Sequence, residues 1–307
     1  MTFHHNDETF AGLPVTQFPA EGVTGPVAWR VDFQDEDVND QEVLSEGFRA
    51  VFETFVAEHG ATAEALVIGS WGYAAFAPAP LQQLQESAAR LPRLRALFLG
   101  DITFDECEVS WMKVGDVSPL ITAFPRLETL QVRGGEDFRF SPVASGSLRR
   151  LVVQSGGLPA AFSTAVLASK FPNLTDLELW LGTPDYNGDT RLADLRGVLD
   201  GTLFPQLRRL GLRNAEIADE LAAAVAQAPV VARLESLDLS MGVLSDRGAT
   251  ALLAGQPLTH LRELNLKHHY MSEETAAAVV AALPETAVDV SEPQGADDDD
   301  RYVAVSE

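Results

Sequence analysis

Seven segments of this chain share one pattern: an apolar residue, another three positions on, and a third two positions beyond that. They are LPRLRALFL (91–99), FPRLETLQV (124–132), SGSLRRLVV (145–153), FPNLTDLELW (171–180), FPQLRRLGL (204–212), VARLESLDL (231–239) and LTHLRELNL (258–266). The middle positions are Leu97, Leu130, Leu151, Leu177, Leu210, Leu237 and Leu264, spaced 33, 21, 26, 33, 27 and 27 residues apart. A weaker copy lies at Ala63, Leu66 and Ile68, and a degenerate one at Val288 and Val290. Short-range alternation of apolar residues predicts a half-buried strand in each copy. Between copies, apolar residues recur at helical spacing, as at Ile217, Leu221, Ala224 and Val225, at Leu252 and Leu253, and at Val279, Val280 and Leu283. A unit this small cannot bury its apolar face alone, so successive units must stack.

The pattern resembles the leucine-rich repeat, and LESLDLSMGVLSDRGATALLAG (234–255) and LRELNLKHHYMSEETAAAVVAAL (261–283) are most similar to its ribonuclease-inhibitor subclass. The resemblance spans roughly residues 60–290. It implies an α/β leucine-rich-repeat solenoid, a horseshoe with a parallel sheet on the concave side and helices and loops on the convex side. The chain departs from the family pattern at the asparagine-or-cysteine turn position. That position holds Trp71, Ile102, Gly135, Gly156, Gly182, Ala215, Gly242 and His269, so irregular coil packing is expected there. The whole chain is also similar to a group of bacterial leucine-rich-repeat proteins, and that likeness implies no particular activity.

A single domain over 1–307 is expected: an N-terminal region and cap (1–59), repeats (60–290) and an acidic tail (291–307). Within the cap, 1–26 reads as irregular, Val27–Phe33 as a strand and Gln41–Glu58 as an amphipathic helix carrying Leu44, Phe48, Val51, Phe52 and Phe55 on one face. The 21-residue repeat is too short for a helix, so its convex stretch, 134–147, should be extended. TPDYNGDT (183–190) reads as a surface loop. Asp297–Asp300 reads as a solvated charge run, lacking the spacing and glycine of a calcium loop.

Charge excludes whole classes of partner. The 45 acidic residues against 22 basic ones leave a net charge of −23, concentrated at the two ends. Binding to nucleic acid rests on Lys and Arg, and anionic lipid attracts the same residues. Neither is expected. No apolar run long enough to span a bilayer occurs, and MTFHHNDETF lacks the basic and apolar regions of a secretory signal. One cysteine, Cys107, excludes an internal disulfide and fits a reducing cytoplasm. Cytoplasmic residence, no cofactor and no metal are the expectations. No Walker A loop, GxGxxG, GxSxG, HExxH or CxxC is present. Cys107 lies among acids that raise a thiol pKa, so it reads as a passive thiol. His260, His268 and His269 flank a strand, but adjacent side chains on an extended chain point opposite ways. They read as surface histidines rather than metal ligands.

The informative surface is the inner face of the sheet. Residues one before, one after and three after each middle leucine point away from the core. In the early repeats these are small or apolar. In the later ones they include Arg133, Arg150, Trp180, Arg209 and Arg213 beside Asp176 and Glu178. With Phe98, Asp238 and Lys267 they form the expected partner-binding set. Trp and Arg dominate interface energetics, and mixed charges also form cross-strand ion pairs that need no partner. The expected function is a non-enzymatic recognition scaffold for a protein or peptide. The alternative is an enzyme's accessory subunit, or a weak enzyme using Asp176, Glu178 and Arg213. Trp180, Arg209 and Arg213 are expected to be exposed, so that replacing them affects binding and not stability.

Overall fold

The computed structural model describes residues 4–34, 44–295 and 301–307, and the Asp297–Asp300 run lies outside them. Two compact units emerge, one of residues 2–154 and one of 155–306.

The first unit contains β1 (Thr9–Phe10), β2 (Leu13–Gln17), β3 (Ala28–Phe33), β4 (Ala65–Trp71), β5 (Ala96–Leu99), β6 (Thr129–Arg133) and β7 (Arg150–Gln154). Apart from the antiparallel β1–β2 hairpin, these strands pair in parallel and in chain order. The register is the one the repeats predict: Leu66, Leu97, Leu130 and Leu151 are successive partners, each fully buried. Helix α1 (Glu46–His59) begins at Ser45, whose hydroxyl accepts the Phe48 amide, and it buries Phe48, Phe52, Phe55 and Val56. Helices α2 (Leu81–Glu86) and α3 (Ser118–Ala123) are short, and no helix lies between β6 and β7. The convex stretch there pairs as isolated bridges, Glu136 with Lys113 and Arg139 with Asp116.

The second unit contains α4 (Ala160–Leu167), β8 (Asp176–Gly182), α5 (Arg196–Leu199), β9 (Arg209–Ala215), α6 (Ala218–Val225), β10 (Ser236–Asp238), α7 (Asp246–Leu253), β11 (Glu263–Asn265), α8 (Glu273–Ala282) and β12 (Ala287–Asp289). The five strands are parallel and in register through Leu177, Leu210, Leu237, Leu264 and Val288. Val279 and Leu283 of the last stripe are buried, but Val280 is exposed, since adjacent helical positions cannot both face the sheet. Both units thus have the α/β leucine-rich-repeat fold: parallel strands on one side, helices and loops on the other.

The missing asparagine ladder is replaced piecemeal. Trp71 is buried and donates its indole N–H to the Ala77 carbonyl at 3.0 Å. His269, expected at the surface, is buried: Nε2 lies 2.9 Å from the Val290 carbonyl oxygen, and Nδ1 accepts the Met271 amide. At Gly182, φ is +70° and a Cβ would lie 1.9 Å from the Gly156 carbonyl oxygen, so only glycine fits. Carboxylates add a second ladder on the helix side. Asp219 accepts the amides of Ser245 and Gly248 and the Ser245 hydroxyl, and Asp246 accepts the amide and hydroxyl of Ser272, 27 residues after Ser245.

Leu210 and Leu237 are 1% and 0% exposed and stack on one another. Replacing either by Ala is expected to cost about 2–5 kcal/mol, measured as a fall in the urea midpoint at unchanged slope. Near-native midpoints for both would contradict the register.

Candidate functional site

The inner face behaves differently in the two units. In the first, the stretch across β3–β5 is covered by the chain itself. Within 1–26, expected to be irregular, Thr9–Phe10 and Leu13–Gln17 form the strands of a hairpin. Ala11 and Gly12, with φ of +51° and +76°, turn the chain between β1 and β2, and both positive values match a two-residue hairpin turn. Phe10 then packs into a cluster with Ala28, Ala65, Val67, Ala96 and Phe98, flanked by Leu13 and Val15. The Phe10 and Phe98 rings are 5.8 Å apart. Phe98, expected to bind a partner, is therefore core: it is 0% exposed.

Beside this cluster lies a buried charge network. Asp101, just after β5, is paired with Arg30, and its other oxygen is 3.7 Å from Arg133 Nη1. All three side chains are buried. Arg133 also donates to the Gln154 amide oxygen at 2.9 Å and to the Ile102 carbonyl at 3.1 Å, and its guanidinium lies 5.1 Å from the Phe98 ring centroid. The N-terminal segment closes over the network: the Asn6 side-chain amide donates to the Asp101 carbonyl, and the Asp7 amide to the Asp101 carboxylate. Burial pushes the Asp101 carboxyl above its ordinary range while the two guanidiniums pull it down. Burial also lowers Arg133, to about 10, so it stays charged at neutral pH. Arg133 is thus corrected from partner-binding residue to buried structural cation, because its donors are spent on Asp101, Gln154 and the backbone. Asp101 carries no sequence motif. The row of small apolar residues at Ala65, Val67, Ala96 and Phe98 was the signal that something covers this face.

Arg150 on β7 is half-buried on the inner face.

In the second unit the inner face carries an interlocked plane of charges. Arg209 lies 3.4 Å from Asp176. Arg213 donates to Glu178 at 2.9 Å and to the Ser240 hydroxyl at 3.0 Å, and lies 3.4 Å from Asp238. Asn265 donates to Asp238, and Lys267 pairs with Glu292 at 2.9 Å. Trp180 is not the exposed anchor expected. It is 3% exposed, donates its indole N–H to Glu178 at 2.7 Å, and lies under the Arg213 guanidinium, 5.0 Å from the ring centroid. Arg209 and Glu263 are the exposed members of this face, and Asp176, Glu178, Arg213, Asp238, Asn265 and Lys267 are half-buried. Because Glu178 is already held by Trp180 and Arg213, the carboxylate–arginine arrangement is a fixed brace.

The C-terminal residues dock at the carboxyl ends of the strands of this unit and on the turns beyond them. Asn214 is buried, donating to the Val305 carbonyl and accepting its amide at 2.9 Å. The Ala304 amide donates to the Met241 carbonyl, and the Tyr302 amide to the Tyr270 hydroxyl. His268 Nε2 is 3.2 Å from the Tyr302 carbonyl oxygen, and burial lowers the His268 pKa. Asn214, Met241 and His268 occupy one position in successive repeats and share positive φ values of 52°, 68° and 56°.

Cys107 is buried and its thiol is pushed up to about 12, chiefly by burial, so it stays protonated at neutral pH. Among the described residues no cluster of three or more His, Cys, Asp or Glu is placed to hold a metal ion, and no helix is long and apolar enough to cross a membrane.

No family model and no curated protein matches this chain. Among solved structures it is similar to a protein of Bacteroides fragilis, with 28% identity and a TM-score of 0.75, covering 84% of this chain and 76% of that one. It also aligns with an internalin of Listeria monocytogenes at 14% identity and a TM-score of 0.42, covering 76% of this chain and 55% of that one. The Bacteroides likeness extends over most of both chains and shows a shared fold.

Two substitutions separate brace from surface. Trp180→Ala is expected to cost about 3–5 kcal/mol, as buried aromatic truncations do. Arg209→Ala should stay within about 0.5 kcal/mol, because its side chain is 54% exposed. Asp101→Ala, which strands two buried guanidiniums, is expected to cost about 3–5 kcal/mol. Denaturant midpoints of the three variants check the order. An Asp101 variant as stable as Arg209→Ala would sink the buried-network account.

Proposed function

We propose that this chain is a non-enzymatic cytoplasmic recognition scaffold, with ribonuclease-inhibitor-like repeats, that binds a protein or peptide on the inner face of β8–β11. The supporting observation is the contrast between the two inner faces. The first is covered across β3–β5 by the N-terminal hairpin, whereas the second presents Arg209 and Glu263 to solvent beside half-buried Asp176, Asp238 and Lys267. Repeat stacks generate extended binding surfaces of this kind. The binding groups are ordered in advance: Arg213 is clamped between Glu178, Asp238 and Trp180 before any partner arrives. Pre-ordering lowers the side-chain entropy lost on association. The mixed sign of the surface favours a partner with an alternating charge pattern, since like charges placed opposite one another are penalised. The net charge of −23 argues against nucleic acid and anionic membranes as that partner.

The test compares cross-linked capture by the wild-type chain, an Arg209→Ala/Glu263→Ala variant and a helix-side control, Arg191→Ala/Arg196→Ala. Binding is then remeasured with the purified partner. The inner-face variant should lose at least tenfold in affinity, about 1.4 kcal/mol, at unchanged thermal midpoint, and the control should bind as the wild type does. Loss in the control with retention in the inner-face variant would move the interface to the helix side.

A further inference from the structure

Five large hydrophobic side chains are exposed among the described residues, and three of them, Tyr73, Phe76 and Trp111, line one cavity of the first unit. The cavity has a volume of about 710 Å³, within the range of pockets that take drug-sized ligands. It is built by three successive loops, those leaving β4, β5 and β6. The site does not rest on the sheet-face reading above, because it shares no residue with it.

The aromatic groups are held in place. Tyr73 and Phe76 have ring centroids 5.4 Å apart at an interplanar angle of 59°, and the Phe76 and Ala77 amides both donate to the Tyr73 carbonyl, which closes the turn that carries them. Trp111 ends a short 3-10 turn, Val109–Trp111, and is 58% exposed. An indole left in water at that extent forgoes a large burial energy, which a ligand can recover. The lining also carries Asp105, Glu106, Glu108 and Glu136 against one cation, Lys113. Glu106 is fixed in orientation: it accepts the Thr103 amide and hydroxyl through one oxygen and the Gln34 side chain through the other. Cys107 lies in the lining but remains a protonated, buried thiol, so the cavity holds no nucleophile in that residue.

Aromatic faces carry negative electrostatic potential and attract cations, most strongly at Trp. Carboxylates in the same wall add Coulomb attraction for the same charge and repel anions. An apolar neutral ligand would gain from the rings but not from the carboxylates, and an acidic one would be rejected. We propose that this cavity is a recognition site for a basic peptide segment, taking an arginine or lysine side chain over Trp111 with its charge facing Glu106, Glu108 and Glu136. Arginine suits it best, because a planar guanidinium can stack on an indole and donate to a carboxylate at once. A chain of net charge −23 also draws a basic segment toward it before contact.

The experiment uses the full chain and a short capped peptide holding two arginines. Its citrulline counterpart is uncharged but nearly the same shape, and tetramethylammonium serves as a free small cation. The other three tryptophans, Trp29, Trp71 and Trp180, are buried, so quenching of solvent-exposed tryptophan emission reports Trp111 directly. The arginine peptide should change that emission and bind with a Kd below about 1 mM by calorimetry. The citrulline peptide should bind at least tenfold more weakly. Salt at about 1 M, where screening acts within about 3 Å, should weaken the arginine peptide's binding. Trp111→Ala and the triple Glu106→Gln/Glu108→Gln/Glu136→Gln should each lose at least tenfold. Trp111→Phe should retain part of the affinity and, being a surface change, the wild-type thermal midpoint. Equal binding of the citrulline and arginine peptides, or full binding by Trp111→Ala, overturns the proposal. Tetramethylammonium binding as tightly as the peptide also overturns it, in favour of a free small cation.

Discussion

One leucine per repeat, placed against the equivalent leucine of the next strand, is the constraint from which the remaining structure follows. Leu177, Leu210, Leu237 and Leu264 are direct partners across parallel strands. A one-residue slip would turn each of them to the opposite face of the sheet. With register held this way, the intervening residues have only to return the chain to the next strand. That freedom explains why the return can be a full helix such as α7, a few turns of 3-10 helix, or the extended 134–147 stretch, without disturbing the pairing.

Turn chemistry is correspondingly tolerant. Where a family-typical asparagine would bond the neighbouring backbone, this chain uses Trp71 and His269 for similar bonds and removes the side chain altogether at Gly182. Buried polar groups cost little once their partners are supplied, so chemically different residues are interchangeable at such a position. Asp219 and Asp246 contribute on the helix side, each accepting N–H groups that the next helix start leaves without a partner.

The two inner faces show two solutions to one problem, a sheet with nothing packed on it. The first is covered across β3–β5 by Phe10 and sealed by the Arg30–Asp101–Arg133 network. Such a network is costly to bury and costlier to interrupt. The second keeps its charges in cross-strand pairs over Trp180, so the face is ordered yet still reached by solvent. The exposed aromatic groups of the first unit lie instead at the loop cavity around Trp111.

The repeat positions, the strand register, the parallel pairing and the α1 core face at Phe48, Phe52 and Phe55 were all legible in the sequence, because they depend on apolar spacing that one chain segment displays by itself. So was the inner-face placement of Arg209, Asp176 and Asp238. Tertiary structure alone decided which inner-face residues meet solvent. Phe98, Arg133 and Trp180 occupy inner-face positions like those of Asp238, Lys267 and Arg213, which solvent reaches. Yet each is buried, by Phe10, by Asp101 with Gln154, and by Arg213 respectively. These partners lie 88, 32, 21 and 33 residues away in the chain. Periodicity reports the direction in which a side chain leaves its strand. What stands over it depends on contacts between distant segments, which no local pattern encodes.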